Sequence, residues 1–208
     1  GYDLHHMELS LQLDPDTMYV AGTVTFRFTA LHDELNTVVL DLRNNLEVSA
    51  AKSKDKNLDF THNEHRLKVE LPEAMPAGAH GEFAVTYSGV PQSEGFGTFS
   101  QGMQNGKPII WTLSEPFGAR DWFPCKQWLR DKVDSLDVFV THPKEYKAAS
   151  NGLLVEETTQ DGQTTAHWRH RYPIATYLIA VAVTDYVSYS DYMRMPNGDS
   201  LQILNYVY

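Results

Sequence analysis

The chain has 208 residues, of which 42% are hydrophobic and 21% are charged, so it can bury a core and is not intrinsically disordered. Its 17 Lys and Arg residues against 27 Asp and Glu residues give a net charge of −10. This charge argues against nucleic acid or an anionic membrane as a partner and suits a cationic ligand such as a free amine. The single cysteine excludes an intrachain disulfide, and no apolar run is long enough to span a membrane.

The hydrophobic pattern along the chain has a period of two. Met7, Leu9 and Leu11 alternate with polar residues, and Val24 and Phe26 begin a second alternating segment. This period predicts β-strands with one buried face. In chain order, the predicted strands cover residues 7–13, 24–28, 38–42, 67–71, 83–87, 109–113, 136–140, 166–171 and 177–188.

Two dipeptides between predicted strands, Asn105-Gly106 and Asp161-Gly162, indicate hairpins because type I′ turns need positive φ angles. No window shows a convincing helical stripe. We therefore predict an all-β fold, a saddle-shaped β-sandwich of several sheets, with residues 1–208 forming one domain. The chain begins with Gly1 rather than Met and ends in an apolar segment, so we expect it to be a piece of a longer protein.

Several common catalytic motifs are missing from the sequence. It has no His-Glu-x-x-His zinc motif, no Gly-x-Ser-x-Gly elbow and no phosphate-binding glycine loop. The nine histidines are scattered, and His62 and His65 lie in a turn-rich stretch, so we predict no metal site in these residues. The carboxylates of Asp131, Asp134 and Asp137 are interpreted as a solvated surface.

The rhythm of strands breaks at residues 91–105 and 114–131, which we predict to be irregular loops. In the second, Glu115-Pro116-Phe117-Gly118 directly follows a predicted strand, and Arg120 and Cys125 come after it. Long irregular loops in β domains often carry function. A loop held together by aromatic residues, with Arg120 in a structural ion pair near Asp121 and Asp131, is the alternative. For Cys125, we favour a packed structural thiol over one activated by its neighbour, a lysine.

Four segments together resemble the M1 (gluzincin) aminopeptidases. They are an early Gly-x-Val strand, a Glu-(x)n-Arg-x-x-aromatic-Pro-Cys loop, a Ser-Asn-Gly turn and a Pro-Ile-x-Thr-Tyr-Leu-x-Ala strand, which here begin at Gly22, Glu115, Ser150 and Pro173. Their order is that of the family's N-terminal domain, and the likeness extends to the leukotriene A4 hydrolase-like branch. The segments that carry zinc in the family have no counterpart in these residues.

The resemblance implies a non-catalytic N-terminal domain of a zinc-dependent aminopeptidase. Glu115 would anchor the α-amine of a peptide with a free N-terminus, with Pro116, Phe117 and Gly118 completing the binding loop and Arg120 and Cys125 supporting it. The Glu115–Pro116 bond would be cis. The zinc would belong to a downstream catalytic domain, the chain's expected partner. The alternative is a stand-alone β-sandwich that binds peptide or carbohydrate.

Overall fold

The computed structural model describes residues 1–92 and 97–208. In these residues the chain forms strands β1 to β17 and two single-turn 3-10 helices, Ala119–Asp121 and Thr176–Leu178. The strands in chain order are Tyr2–Gln12, Val20–Ala30, Leu35–Asp41, Leu46–Ser53, Lys56–Asn57, Phe60–Asn63, Arg66–Met75, His80–Gly89, Phe99–Gln104, Lys107–Thr112, Ser135–Pro143, Lys147–Ser150, Leu153–Gln160, Gln163–His170, Val181–Thr184, Val187–Arg194 and Ser200–Val207. The all-β prediction is confirmed.

The strands form four sheets. The largest has eight strands in the order β13-β14-β11-β1-β2-β8-β4-β5, and a second has the order β12-β15-β10-β9. Strands β3, β7 and β6 form a third sheet, and β16 and β17 form a two-stranded one. Strand β1 pairs with β11 in parallel, with Met7 opposite Leu136, whereas β1 pairs with β2 in antiparallel fashion.

The core lies on one face of the eight-stranded sheet. Because strand side chains alternate between faces, every second residue of the central strands is buried. Phe26 stacks on Phe83 with ring centroids 5.0 Å apart, and Phe28 meets Phe83 edge-on at 5.9 Å. Buried residues of the two smaller multi-stranded sheets, such as Val69 and Ile110, belong to the same hydrophobic cluster. In the described residues, no helix is long and apolar enough to cross a membrane.

Both predicted hairpins are confirmed. Asn105 and Gly106 have φ angles of 50° and 78° between β9 and β10, and Asp161 and Gly162 have 52° and 82° between β13 and β14. These are the positive angles of a type I′ turn, which asparagine, aspartate and glycine tolerate best.

Three expectations are wrong in part. The predicted strand 177–188 is broken, because it starts in a 3-10 helix and divides into β15 and β16. The stretch 91–105, expected to be irregular, contains β9, while residues 93–96 of it lie outside the described residues. Asp137, expected on a solvated surface, is buried on β11. There it accepts hydrogen bonds from His167 at 2.6 Å and Arg171 at 2.7 Å.

Candidate functional site: the loop after strand β10

The end of strand β10 presents a line of exposed side chains. Trp111, Leu113 and Glu115 are exposed, whereas the intervening Thr112 and Ser114 are buried. The alternation of β10 therefore continues into the loop and places a carboxylate at the end of an apolar stripe. The exposed Phe117 lies two residues further on. The alternation is visible in the sequence, but it predicts Trp111 and Leu113 only as strand residues.

A tight turn carries Glu115, Pro116 and Phe117. Its ends are joined by a hydrogen bond from the amide of Gly118 to the carbonyl of Ser114, at 2.8 Å. The Glu115–Pro116 peptide bond is cis, as the resemblance implied. The three turn residues are exposed, so their side chains are available to a partner.

Buried aromatic residues hold the base of the turn. The Trp122 indole donates a hydrogen bond of 2.9 Å to the hydroxyl of Ser114, and both residues are buried. Trp122 also packs against Phe123 at 4.3 Å and against Phe99 of β9 at 6.3 Å between ring centroids. A buried polar group that finds its partner is fixed in place, so this contact positions the residue immediately before Glu115.

Gly118 closes the turn against Thr98, which is buried. A Cβ atom at position 118 would lie 2.4 Å from Cγ2 and 2.7 Å from Oγ1 of Thr98. The φ angle of Gly118 is −89°, a value open to any residue. Glycine is therefore required here for space and not for backbone conformation. Thr98 gave no signal in the sequence, because the contact spans 20 positions of chain.

The polar groups that follow the turn are paired differently from the expectation. Asp121 is buried and binds Arg43, with 2.8 Å between Oδ1 and Nε. Asp131 pairs with Lys126. Arg120 makes neither of the expected ion pairs within residues 1–92 and 97–208, and its buried Nε has no hydrogen-bond partner there. Its backbone is nevertheless anchored, since its amide donates to Gln127 at 3.0 Å and its carbonyl accepts from the Arg43 amide.

Cys125 joins the loop to strand β3. Its amide and carbonyl exchange backbone hydrogen bonds with Asp41, at 3.1 and 2.7 Å. The side chain is fully buried, and burial raises the pKa of the thiol well above its usual value. The Nζ of Lys126 reaches the carbonyl of Tyr2 at 2.6 Å and stands over the Tyr2 ring. These contacts support a structural thiol and not one activated by its neighbour.

The Glu115 carboxylate forms no hydrogen bond or ion pair with any part of the chain that the structure describes. An unpaired carboxylate on a loop whose base is buried and hydrogen-bonded is a suitable acceptor for a cationic ligand. Its apolar neighbours, Leu113 and Phe117, would contact whatever lies beside the cation.

Two of the motif segments meet elsewhere in the structure. The Asn151 side chain accepts a hydrogen bond from the Ala180 amide at 2.8 Å and donates one to the Leu178 carbonyl at 2.9 Å. The Ser150 hydroxyl donates to the Ala180 carbonyl at 2.8 Å. The Ser-Asn-Gly turn thus satisfies backbone groups of Leu178 and Ala180. The Thr176 hydroxyl of the second segment donates to the carbonyl of Lys126, in the loop after β10, at 3.4 Å.

Metal ligands are not assembled in this domain as far as it is described. Among residues 1–92 and 97–208, no group of three or more His, Cys, Asp or Glu side chains is placed to hold a metal ion. Asp137 has two histidines nearby, but its carboxylate oxygens accept hydrogen bonds from arginine and histidine donors.

The same multi-sheet β architecture is found in solved zinc metallopeptidases. The family profile of the peptidase M1 N-terminal domain matches residues 3–178, and the chain belongs to this family. Solved relatives agree. A mutant two-domain M1 zinc metallopeptidase bound to L-arginine matches 99% of this chain, with a TM-score of 0.87 and 26% identity. An M1 zinc metallopeptidase mutant from Deinococcus radiodurans bound to Tyr-Ser-Ala matches 98%, with a TM-score of 0.86 and 27% identity.

Sequence relatives include aminopeptidases. Human glutamyl aminopeptidase is 38% identical over 83 residues, which are 39% of this chain and 9% of that protein. Leucine aminopeptidase 2 of Vanderwaltozyma polyspora is 24% identical over 201 residues, which are 90% of this chain and 29% of that protein. The chain therefore spans less than a third of these proteins and, at 48% and 47%, about half of the two solved relatives.

Proposed function

We propose that this chain is the substrate-anchoring N-terminal domain of a two-domain zinc aminopeptidase that removes N-terminal residues from peptides. The observation that carries the proposal is the exposed Glu115 carboxylate, held at the end of β10 by a buried and hydrogen-bonded base. The family of the chain and the names of its relatives support the class of enzyme.

Glu115 is suited to bind the protonated α-amine of a peptide. An ammonium group donates hydrogen bonds, and a carboxylate is acceptor-only when ionised, so the pair forms a charge-assisted contact. Such a contact tells a free N-terminus from a blocked one. It also fixes how far the first peptide bond lies from Glu115, which is a positioning contribution to the reaction.

The apolar stripe beside Glu115 gives the first residue of a peptide a surface to contact. Leu113 and Phe117 are exposed on either side of the carboxylate in sequence, and Trp111 continues the stripe along β10. These side chains favour apolar contact with the substrate next to its charged amine.

The zinc of such an enzyme would be held outside these residues, since no suitable group of ligands is present among those described. The relatives matched by structure are zinc metallopeptidases and are about twice as long as this chain. We therefore assign the metal and the chemical step to the second domain. The residues of this chain contribute binding and orientation of the substrate.

The test is kinetic and uses the product of the whole gene. Replacing Glu115 with alanine removes a hydrogen bond to a charged group, worth about 1.5–3 kcal/mol. We expect kcat/KM for an aminoacyl p-nitroanilide to fall roughly tenfold to hundredfold. The melting temperature should change by less than about 2 °C, because an exposed side chain without described partners contributes little to folding.

Two further measurements separate amine binding from other roles. Glu115→Ala should lower the affinity for an amino acid amide inhibitor far more than the affinity for an analogue that lacks the amine. The control is Glu47→Ala, at an exposed position on β4, which should change neither affinity. An unchanged kcat/KM combined with a lower melting temperature would show that Glu115 is structural. A gene product that does not cleave any aminoacyl substrate would reject the enzyme class itself.

A further inference from the structure

A cavity of about 810 Å³ opens between strand β3 and the far end of the loop after β10. Pockets that bind small molecules have volumes of roughly 300–1,000 Å³, so this one is large enough for a ligand. Its lining includes the buried Tyr2, whose hydroxyl donates a hydrogen bond of 2.8 Å to the carbonyl of Val39. We call this space, lined by β3 and by loop residues between 126 and 131, the β3 cavity.

Strand β3 contributes an apolar wall to the β3 cavity. Val38 and Leu40 are buried in the core, so Val39 between them lies on the other face of the strand and lines the cavity. Leu35, at the start of β3, and Leu31, which is 53% exposed, extend this lining. These side chains give an apolar ligand a surface to contact.

The loop after β10 contributes a second wall. Trp128 lines the cavity and is 64% exposed, with the Nζ of Lys126 at 5.9 Å from the centre of its ring. The Gln127 amide donates a hydrogen bond of 3.2 Å to the Asp41 carboxylate, which holds this part of the loop on β3. The chain itself therefore fixes the two walls to each other, and the indole offers a large apolar surface beside the opening.

The carboxylates of the β3 cavity already face donors from the chain. Asp131 pairs with Lys126, and Asp41 accepts the Gln127 amide. Burial lowers the pKa of Lys126 below its usual value, and the nearby charge of Asp3 acts against this decrease. Asp3 and Asp131 thus both face one buried ammonium group. The negative charges of the lining are matched within the protein.

Two arginines of the lining have no such match. Arg66 on β7 lies opposite Asp41 of β3, and Arg130 lies in the loop, so each wall has one exposed guanidinium near it. Within residues 1–92 and 97–208, neither side chain forms an ion pair or a hydrogen bond. Guanidinium groups stay charged and present their N–H donors in a planar fork that matches a carboxylate. The unpaired charge in the cavity is therefore positive, although the chain as a whole is acidic.

We propose that the β3 cavity binds an amphipathic anion, which is an aromatic or aliphatic group that carries a carboxylate. Trp128 and the leucines of the lining contact the apolar part, and Arg66 and Arg130 bind the carboxylate through charge-assisted hydrogen bonds. A cationic ligand would find only carboxylates that already face donors. The inference goes beyond the proposed function and does not depend on it, because none of these residues belongs to the turn at Glu115.

The test is isothermal titration calorimetry of the 208-residue chain with naphthaleneacetate and with naphthaleneacetamide, which has the same rings and no charge. We expect the acid to bind at least about tenfold more tightly than the amide. This preference should disappear in the double variant Arg66→Gln and Arg130→Gln. Trp128→Ala should weaken both probes by a similar factor, roughly threefold to tenfold. Arg194→Gln, at an exposed position on β16, is the control and should change neither affinity.

The measurements also define what would overturn the proposal. A parent protein that binds neither probe at millimolar concentration, or binds both equally, would reject the anion site. A preference for the acid that persists in the double glutamine variant would place the anion elsewhere on the protein. Replacing both arginines with lysine should restore part of the preference, because the charge returns without the planar fork. No recovery in the lysine variant, or unchanged affinities in Trp128→Ala, would contradict the roles given to these side chains.

Discussion

Replacing Gly118 with alanine tests whether the loop at Glu115 depends on the contact with Thr98. The new Cβ would stand 2.4 Å from Cγ2 of Thr98, which is buried and β-branched and so has little freedom to turn away. Overpacking of this kind costs about 2–3 kcal/mol. Alanine also lowers the conformational entropy of the unfolded chain, which offsets about 0.4–1 kcal/mol of this cost because φ at this position suits any residue.

The net loss is therefore roughly 1–2.5 kcal/mol, which lowers the melting temperature of a 208-residue chain by about 2–10 °C. Thr98→Ala removes the two atoms closest to the new methyl group and leaves the Thr98 Cβ at 3.1 Å. The double variant should regain about 1–2 kcal/mol relative to the sum of the two single variants. Thermal and urea unfolding of the four proteins give this coupling energy.

Gly102→Ala is the matched control, because its Cβ would meet only the Trp111 ring, at 3.3 Å or more. We expect its melting temperature to stay within about 2 °C of the parent. A Gly118→Ala protein as stable as the parent, with a coupling energy below about 0.3 kcal/mol, would refute the argument that this contact places the loop.

Two remaining predictions concern buried groups outside the turn at Glu115. Burial alone would raise the pKa of Asp137, but hydrogen bonds from His167 and Arg171 outweigh it and lower that pKa below its usual value of 3.8. Asp137 therefore stabilises the fold fully above about pH 4, and this contribution is lost as the pH falls through the lowered pKa. Asp137→Asn should lower the free energy of unfolding at pH 7 by about 1–3 kcal/mol. The stability of this variant should also fall less steeply than that of the parent as the pH is lowered, and an equally steep fall in both proteins would contradict this. Cys125→Ser buries a hydroxyl in place of a thiol and should lower the free energy of unfolding by about 1–3 kcal/mol. Cys125→Ala should lower it by less. Equal losses for the two variants in chemical denaturation would argue against burial of the hydroxyl as the cause.

The sequence predicted the parts of the fold that depend on local pattern. Alternation located the central strands, and the Asn-Gly and Asp-Gly dipeptides located two hairpins. Alternation did not predict the break after residue 176. There the Asn151 and Ser150 side chains take the backbone groups of Leu178 and Ala180 that a neighbouring strand would otherwise pair. A run of apolar residues carries no sign of such a partner 27 or more positions away.

The same distinction applies to the loop. Local sequence predicted the position of the loop, and the family resemblance indicated Glu115. Both features lie where the chain leaves β10. The partners of its charged groups came out differently, because Asp121 binds Arg43, 78 positions earlier, and not its neighbour Arg120. The topology decides which charged side chains meet, because it brings distant strands together. The order of residues in one loop carries no information about that topology.

The place of β1 between β2 and β11 has a consequence for synthesis of the protein. Strand β2 follows β1 closely, but β11 begins at Ser135, so the other edge of β1 has no partner until that part of the chain has left the ribosome. At about 5–20 residues per second, the delay is roughly 6–26 s. During this time an edge that carries Met7, Leu9 and Leu11 is open to pairing with other chains. Slower translation beyond β2 should therefore increase aggregation of the nascent domain, and a chaperone that binds extended apolar segments should suppress it.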